Sequence, residues 1–206
     1  MANILHADET LVVIDKPSGL LAVPGRGEDR RGSAWLQVQA LYGDARVVHR
    51  LDMSTSGLMA FGRGAAAQRA LSMAFERRAV DKRYVAIVAG TVEAEEGEID
   101  LPLLVDWPNR PRQHVDHAHG KPSLTRWRVL ERMAQRTRLE LEPVTGRSHQ
   151  LRVHLLAIGH PIVGDALYAP APVRDAAPRL LLHACRLTLP HPVHDERVMF
   201  ECAAPF

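Results

Sequence analysis

The sequence predicts an α+β fold with a mixed, largely antiparallel central sheet and flanking helices and loops. Apolar and β-branched runs outnumber segments with helical periodicity, and strands and helices do not alternate regularly along the chain. The 206 residues contain no internal repeat and no low-complexity linker. A chain of this length buries roughly 70% of its unfolded surface in one core. We therefore expect a single domain over residues 1–206.

The first half of the chain combines short strands with two helices. Residues 11–15 (LVVID) are a β-branched run that turn residues end. Ser33 is a good N-cap for a helix over residues 35–41. Residues 57–61 form a second apolar run, which predicts a strand. In residues 66–78 the apolar side chains recur at helical spacing and two arginines stand at the end of the segment, which predicts an amphipathic helix.

The second half consists mostly of strands. Residues 94–121 are rich in Pro, His, Arg and acidic residues, and predict long connections with short strands. Residues 150–158 predict a helix, because Gly159 and then Pro161 follow it. Apolar or alternating runs predict further strands at residues 82–90, 124–130, 136–144, 180–189 and 198–202.

Composition excludes several classes of protein. With 46% hydrophobic and 24% charged residues, the chain is typical of folded globular proteins. No apolar run is long enough for a membrane span, and the N-terminus lacks the pattern of a secretion signal, so we expect a cytoplasmic protein. A net charge of +2 does not by itself indicate a nucleic-acid partner. Because no heptad pattern is present, we expect a monomer.

Three segments contain side chains suited to chemistry. In VVHRLDMSTSGL, Asp52 lies between two apolar runs, either as a positioned catalytic carboxylate or as half of a surface ion pair. Tyr84 lies near the start of a predicted strand, where packing in the sheet is the simpler interpretation. In TGRSHQLRVH a glycine turn precedes Arg147 at the start of a helix, where anion or phosphate binding is the general alternative.

The histidines do not predict a metal site. His114, His117 and His119 lie in a polar segment without cysteines. His149 and His154 are five residues apart, a spacing that does not place both rings on one helical face. Zinc sites normally show closer, paired ligands. We therefore expect no metal site, and the sequence also lacks a glycine-rich phosphate loop.

Taken in order, these segments resemble the RluA family of pseudouridine synthases. HRLD followed by SGL is similar to the family's catalytic motif, KRYVAIVAG to its tyrosine-bearing strand and TGRSHQLRVH to its basic motif. DETLVVIDKPSGL, GHPIVGDALY and LLLHA are also similar to the family. PLLVDWPNRPRQ and GKPSLTRW resemble its short members, and the first predicted strand starts within the first dozen residues. We therefore expect no S4-type RNA-binding domain.

The resemblance implies an isomerase that flips a uridine out of RNA and converts it to pseudouridine without a cofactor. The implied RNA partners are 23S rRNA and the anticodon stem-loop of tRNA. Asp52 would act in its ionised form, either by adding to C1′ or by abstracting a sugar proton. The implied catalytic residues are Asp52, Tyr84 and Arg147, and the implied substrate-binding residues are Arg50, His49, Leu151 and Arg152.

The resemblance also implies a chemical role for each of these residues. Arg147 would pair with the catalytic carboxylate, and Tyr84 would stack on uracil and assist removal of the C5 proton. Arg50 would occupy the gap left by the flipped base. For Leu151 a place in the hydrophobic core is an equal alternative to a place in the pocket.

Several alternative functions stay open at this point. The same chemistry on only one of the two RNAs is one. A glycosidase or nucleoside hydrolase is another, although such enzymes commonly use two carboxylates. The third is an RNA-binding module that has the fold but no activity, and the fourth is an unassigned α+β domain.

Overall fold

A computed structural model describes residues 2–25 and 32–206 of the chain. Within them the fold is α+β with far more strand than helix, which confirms the predicted class. The elements in chain order are β1 (Asn3–Ala7), β2 (Leu11–Lys16), α1 (Ala34–Leu41), β3 (Ala45–Val47), β4 (Ser56–Arg63), α2 (Gly64–Glu76), β5 (Asp81–Ala89), β6 (Glu96–Asp100), β7 (Leu103–Val105), β8 (Gln113–Val115), β9 (Leu124–Met133), β10 (Arg136–Pro143), α3 (Gln150–Ala157), α4 (Ala171–Arg174), β11 (Leu182–Pro190) and β12 (Arg197–Glu201).

The internal contacts of the chain define two compact units. Unit 1 comprises Met1–Lys82 and His183–Pro205, and unit 2 comprises Arg83–Leu182 together with Phe206. The single domain expected over residues 1–206 stays a prediction.

Unit 1 contains strands in the order β1, β2, β4 and β11, with β3 also paired to β4 and β12 to β11. The β4–β11 pair is parallel and the other pairs are antiparallel. Seven of the eight residues of β4 are buried, as expected for a strand that is covered on both faces. Leu71 and Ala74 of α2 pack against Leu58 and Ala60 of β4 in one hydrophobic cluster.

Unit 2 contains the antiparallel order β5, β10, β9 and β6, and a separate β7–β8 pair. In β10 the buried Leu139 and Leu141 alternate with the half-buried Glu140 and Glu142, as the sequence predicted. The two leucines join α3 residues in the main hydrophobic cluster of this unit. This packing anchors α3, and with it the loop before α3 that contains Arg147.

Three short elements were not predicted from the sequence: β1, β3 and α4. Strand β1 has no buried residue, so it lacks the apolar run that identifies a strand. Strand β3 has three residues and α4 has four, which is too short for a periodic pattern. None of the described helices is long and apolar enough to cross a membrane.

Candidate active site

The predicted site residues divide between the two units. Three of them, His49, Arg50 and Asp52, belong to unit 1. The other four belong to unit 2: Tyr84, Arg147, Leu151 and Arg152.

Asp52 begins a tight turn within the connection from β3 to β4. Its backbone carbonyl accepts a hydrogen bond from the Thr55 N–H at 3.1 Å, and its side chain is half-buried. The preceding Leu51 is buried, whereas Arg50 is exposed. The turn therefore has one apolar anchor, with a carboxylate and a guanidinium at its surface.

A buried lysine holds this turn in place. The side chain of Lys16 is fully buried at the end of β2. Its Nζ donates to three backbone carbonyls, those of Pro17 at 3.0 Å, Leu20 at 2.8 Å and Met53 at 3.2 Å. Met53 directly follows Asp52, so the lysine fixes the backbone beside the carboxylate. The signal in the sequence was a lysine at the end of a strand that begins with four apolar residues.

Two further hydrogen bonds come from the same segment. The Gly19 N–H donates to the Met53 carbonyl at 2.8 Å, and the Ser18 hydroxyl donates to the Ser54 carbonyl at 2.7 Å. The KPSG turn and the turn that contains Asp52 are therefore locked together by backbone acceptors. From the sequence these residues were expected to end strand β2, but their hydrogen bonds to the turn of Asp52 were not predicted.

The side chain of His49 is held by contacts within unit 1. The Ala60 N–H donates to its Nε2 at 2.9 Å, and its ring stacks on Phe75 with a centroid distance of 4.4 Å. Burial, together with the charge of Lys82, lowers the pKa of His49 to about 3. The imidazole is therefore neutral and its Nε2 lone pair is committed to the backbone. We do not retain the substrate-binding role that the resemblance implied for this residue.

Ser56 and Gly57, from the SGL part of the motif that contains Asp52, contact strand β11. The Ser56 Oγ lies 2.8 Å from His183 Nδ1, and both side chains are buried. Gly57 has φ +109°, and an added Cβ would lie 2.3 Å from the Ala184 carbonyl oxygen. Only glycine fits this position, because a side chain would meet both a backbone clash and a left-handed conformation. The SGL part of the motif is therefore required for strand packing.

One group among the described residues has metal-ligand chemistry. Ligand atoms of Asp15, His183 and Cys202 lie within 4.8 Å of one another. However, His183 Nε2 lies 3.2 Å from the Cys202 carbonyl, which can only accept, so Nε2 bears the hydrogen and Nδ1 accepts from Ser56. Burial, followed by the charge of Asp15, raises the pKa of the Cys202 thiol to about 11. His183 is therefore engaged on both ring nitrogens, by Ser56 and by the Cys202 carbonyl, and lies in a hydrogen-bond network.

In unit 2, Tyr84 and Leu151 come together in one apolar cluster. Leu151 is 6% exposed and is a member of the buried core, against which the half-buried Tyr84 packs. Tyr84 lies opposite Leu141 in the β5–β10 register. Leu151 is thus a core residue beside Tyr84, and its place in the pocket stays a prediction.

Arg147 lies in an ordered loop although its side chain is exposed. Its backbone N–H donates to Gln150 Oε1 at 3.0 Å, and the Thr145 hydroxyl donates to the same oxygen at 2.7 Å. Gln150 is buried and its amide nitrogen donates to the Leu124 carbonyl at 3.0 Å. One buried amide therefore fixes the loop and leaves the guanidinium of Arg147 at the surface.

Arg152 occupies a different environment from Arg147. It is 3% exposed, and its Nε donates to Asp165 Oδ2 at 2.8 Å while a second N–H donates to Oδ1. A guanidinium in a buried, two-point ion pair is not available to bind RNA. The implied substrate-binding role is therefore replaced by a structural one, for which the sequence offered no signal except the acidic residue in GHPIVGDALY.

Comparisons with known proteins agree on one family. The family model described as RNA pseudouridylate synthase matches residues 10–157. Dual-specificity RNA pseudouridine synthase RluA of Escherichia coli (strain K12) is 50% identical over 204 residues, which cover 98% of this chain and 93% of the relative. The protein of that name from Pasteurella multocida is 48% identical over 205 residues, covering 99% and 94%. The solved structure of human RNA pseudouridylate synthase domain containing 1 has a TM-score of 0.84 at 29% identity, covering 100% of this chain and 84% of that one.

Proposed function

The chain belongs to the RNA pseudouridylate synthase family, and from this premise we propose that it isomerises specific uridines in 23S rRNA and in the anticodon stem-loop of tRNA. Its activity is that of an isomerase. The dual specificity is supported by the name of the relatives that are about half identical over nearly the whole chain. The enzyme acts as a cytoplasmic monomer, without a membrane partner.

The reaction rearranges bonds within one nucleotide. The C1′–N1 bond breaks, the uracil turns, a C1′–C5 bond forms, and the proton on C5 leaves while N1 gains one. Atoms and electrons balance without an oxidant, a reductant or an imported group, so the chemistry requires no cofactor. It requires a group that stabilises or attacks C1′ and a group that accepts the C5 proton.

We assign Asp52 as the group that acts at C1′ of the target nucleotide. The observation that carries this assignment is a half-buried carboxylate on a turn whose backbone is fixed by the buried Lys16. A carboxylate held in one position acts on a sugar carbon without losing orientational freedom during the reaction. The two possible routes, addition to C1′ and abstraction of a sugar proton, both begin with the ionised form.

We assign Arg50 to contact with the RNA strand around the flipped base. Its side chain is exposed on the turn that contains Asp52, two residues away. A uridine must leave its stack to reach the carboxylate, at a cost of about a few kcal/mol. A planar guanidinium can stack on the neighbours of the flipped base and reduce that cost.

We assign Tyr84 to contact with the uracil base. We assign Arg147 to stabilising the negative charge of the catalytic carboxylate. Tyr84 combines a ring packed on the core with a hydroxyl, so it can stack on uracil and assist removal of the C5 proton. The exposed guanidinium of Arg147 lies on a loop fixed by Gln150. A guanidinium can stabilise the ionised form of a carboxylate, which the reaction needs.

The proposal is tested by release of tritium from C5-labelled RNA. Separate 23S rRNA and tRNA transcripts are incubated with the wild-type enzyme and with Asp52→Asn, and RNA binding is measured in parallel. We expect release from both RNAs by the wild type, and binding without release by the variant. Release from one RNA only would exclude dual specificity. Free uracil as the product would indicate a glycosidase instead, and binding without release by the wild type would indicate an inactive RNA-binding module.

A further inference from the structure

The turn between β7 and β8 exposes an aromatic side chain. Trp107 has 62% of its surface exposed, whereas Trp35 and Trp127 are half-buried. Aromatic side chains are enriched at binding surfaces relative to the rest of a protein's surface.

This turn has a defined conformation. The Asn109 N–H donates to the Asp106 carbonyl at 3.1 Å, and the Asp106 N–H donates to the Arg112 carbonyl at 2.9 Å. The carboxylate of Asp106 accepts from the Asn109 side-chain amide at 3.0 Å. The negative charge of the turn is therefore engaged in holding its own backbone, while the side chains of Arg110 and Arg112 are exposed.

A cation lies against the exposed indole. The guanidinium carbon of Arg110 is 4.4 Å from the Trp107 ring centroid. This distance is that of a cation–π contact, which favours one orientation of the ring. The turn therefore presents an oriented aromatic surface beside two positive charges.

The β7–β8 pair is also tied to the loop that contains Arg147. The Gln113 N–H at the start of β8 donates to Tyr168 Oη at 2.8 Å, and that oxygen lies 2.6 Å from His149 Nδ1. His149 is the N-cap residue of α3, two residues after Arg147. The exposed turn and the basic loop are thus connected through one tyrosine hydroxyl.

We propose that Trp107, Arg110 and Arg112 form an RNA-binding platform, on which an unpaired base of the substrate loop stacks while the arginines contact adjacent phosphates. The inference rests on the proposed function, because it concerns recognition of the RNA that the enzyme modifies. Single-stranded RNA is bound by this combination of a stacking ring and cations, since every base offers a π face and every nucleotide a phosphate. A protein partner would require apolar area beyond one indole.

The first test compares the affinity of a fluorescently labelled tRNA anticodon stem-loop for the wild type and four variants, measured by anisotropy. Stacking of one base predicts that Trp107→Ala weakens binding about tenfold, whereas Trp107→Phe keeps most of the affinity. Leu41→Ala is the control, because Leu41 is 68% exposed in unit 1 and far from this turn in sequence. Arg110→Ala should also reduce the dependence of log K on log salt by about 0.7.

The second test identifies the stacked base. Single abasic nucleotides are scanned through the loop of the RNA. One position should weaken wild-type binding but leave the affinity of Trp107→Ala unchanged, because the two changes remove the same contact. Unchanged affinity of Trp107→Ala, or additive losses at every position, would overturn the platform. Because binding is measured independently of turnover, this failure is distinguishable from a wild-type enzyme that releases no tritium.

Discussion

Arg152 and Asp165 form a two-point ion pair in the interior of unit 2, with exposed fractions of 3% and 1%. The carboxylate of Asp165 also accepts the Leu167 N–H at 2.9 Å and the Tyr168 N–H at 3.2 Å. The pair therefore fixes the backbone at Tyr168, whose hydroxyl connects the β7–β8 pair to His149. An arginine that belongs to the basic motif in sequence is a structural residue in space.

Arg152→Met is predicted to destabilise the protein by about 3–5 kcal/mol, because it leaves a buried carboxylate without its cation. The free energy of unfolding is measured by urea denaturation. Arg186→Met is the matched control, since the Arg186–Glu201 pair is exposed and should contribute less than about 1 kcal/mol. Equal losses in the two variants would show that burial does not determine the cost.

Lys16→Met is predicted to lower kcat about tenfold to a hundredfold, because three carbonyls lose their donor and the turn beside Asp52 relaxes. Tritium release is measured at saturating RNA, with circular dichroism as the check on folding. Ser18→Ala removes a single hydrogen bond to the same turn and should cause a smaller loss. A folded Lys16→Met enzyme with the wild-type kcat would exclude the positioning role.

Stability is predicted to fall as the pH drops below 6.5, in part because of His49. Its folded pKa is about 3, against an ordinary value of 6.5, so between these values the unfolded chain binds a proton that the folded chain does not. The contribution is at most about 1.4 kcal/mol per pH unit, and it vanishes above pH 7. Urea denaturation from pH 7 to 4.5 should show a shallower dependence in His49→Gln, which keeps an acceptor for the Ala60 N–H. Parallel curves would contradict the assignment.

Tyr84→Phe is predicted to keep RNA affinity while lowering kcat by about 10²–10⁴, the usual contribution of a proton-transfer group. The ring packs on the hydrophobic cluster of unit 2, so phenylalanine preserves both this packing and stacking on uracil. Affinity is measured by anisotropy and turnover by tritium release. A wild-type rate would mean that the hydroxyl is dispensable and that Tyr84 acts by stacking alone.

The secondary structure was predictable wherever a local pattern extends over several residues. Leu139 and Leu141 alternate with glutamates in the sequence and in β10, and Ser33 accepts from the Leu36 N–H as an N-cap. Strand β1 escaped prediction because it pairs with β2 but has no buried residue, so its sequence lacks an apolar run.

The catalytic motif shows the limit of such patterns. Asp52 and Arg50 stand out by their chemistry, and the turn between two apolar runs was expected. Nothing local indicates that His49 binds the Ala60 N–H or that Gly57 lies against the backbone of Ala184. These contacts depend on residues that are distant in the chain.

From its sequence alone this protein was identifiable as an α+β RNA pseudouridylate synthase with a candidate carboxylate, because periodicity and motif order are properties of the chain itself. Only the tertiary structure separated exposed cations from buried ones. Arg147 and Arg152 are five residues apart in one motif, yet the first is exposed and the second is paired with Asp165. The physical reason is desolvation: a buried charge needs a partner, and folding determines which residue supplies it.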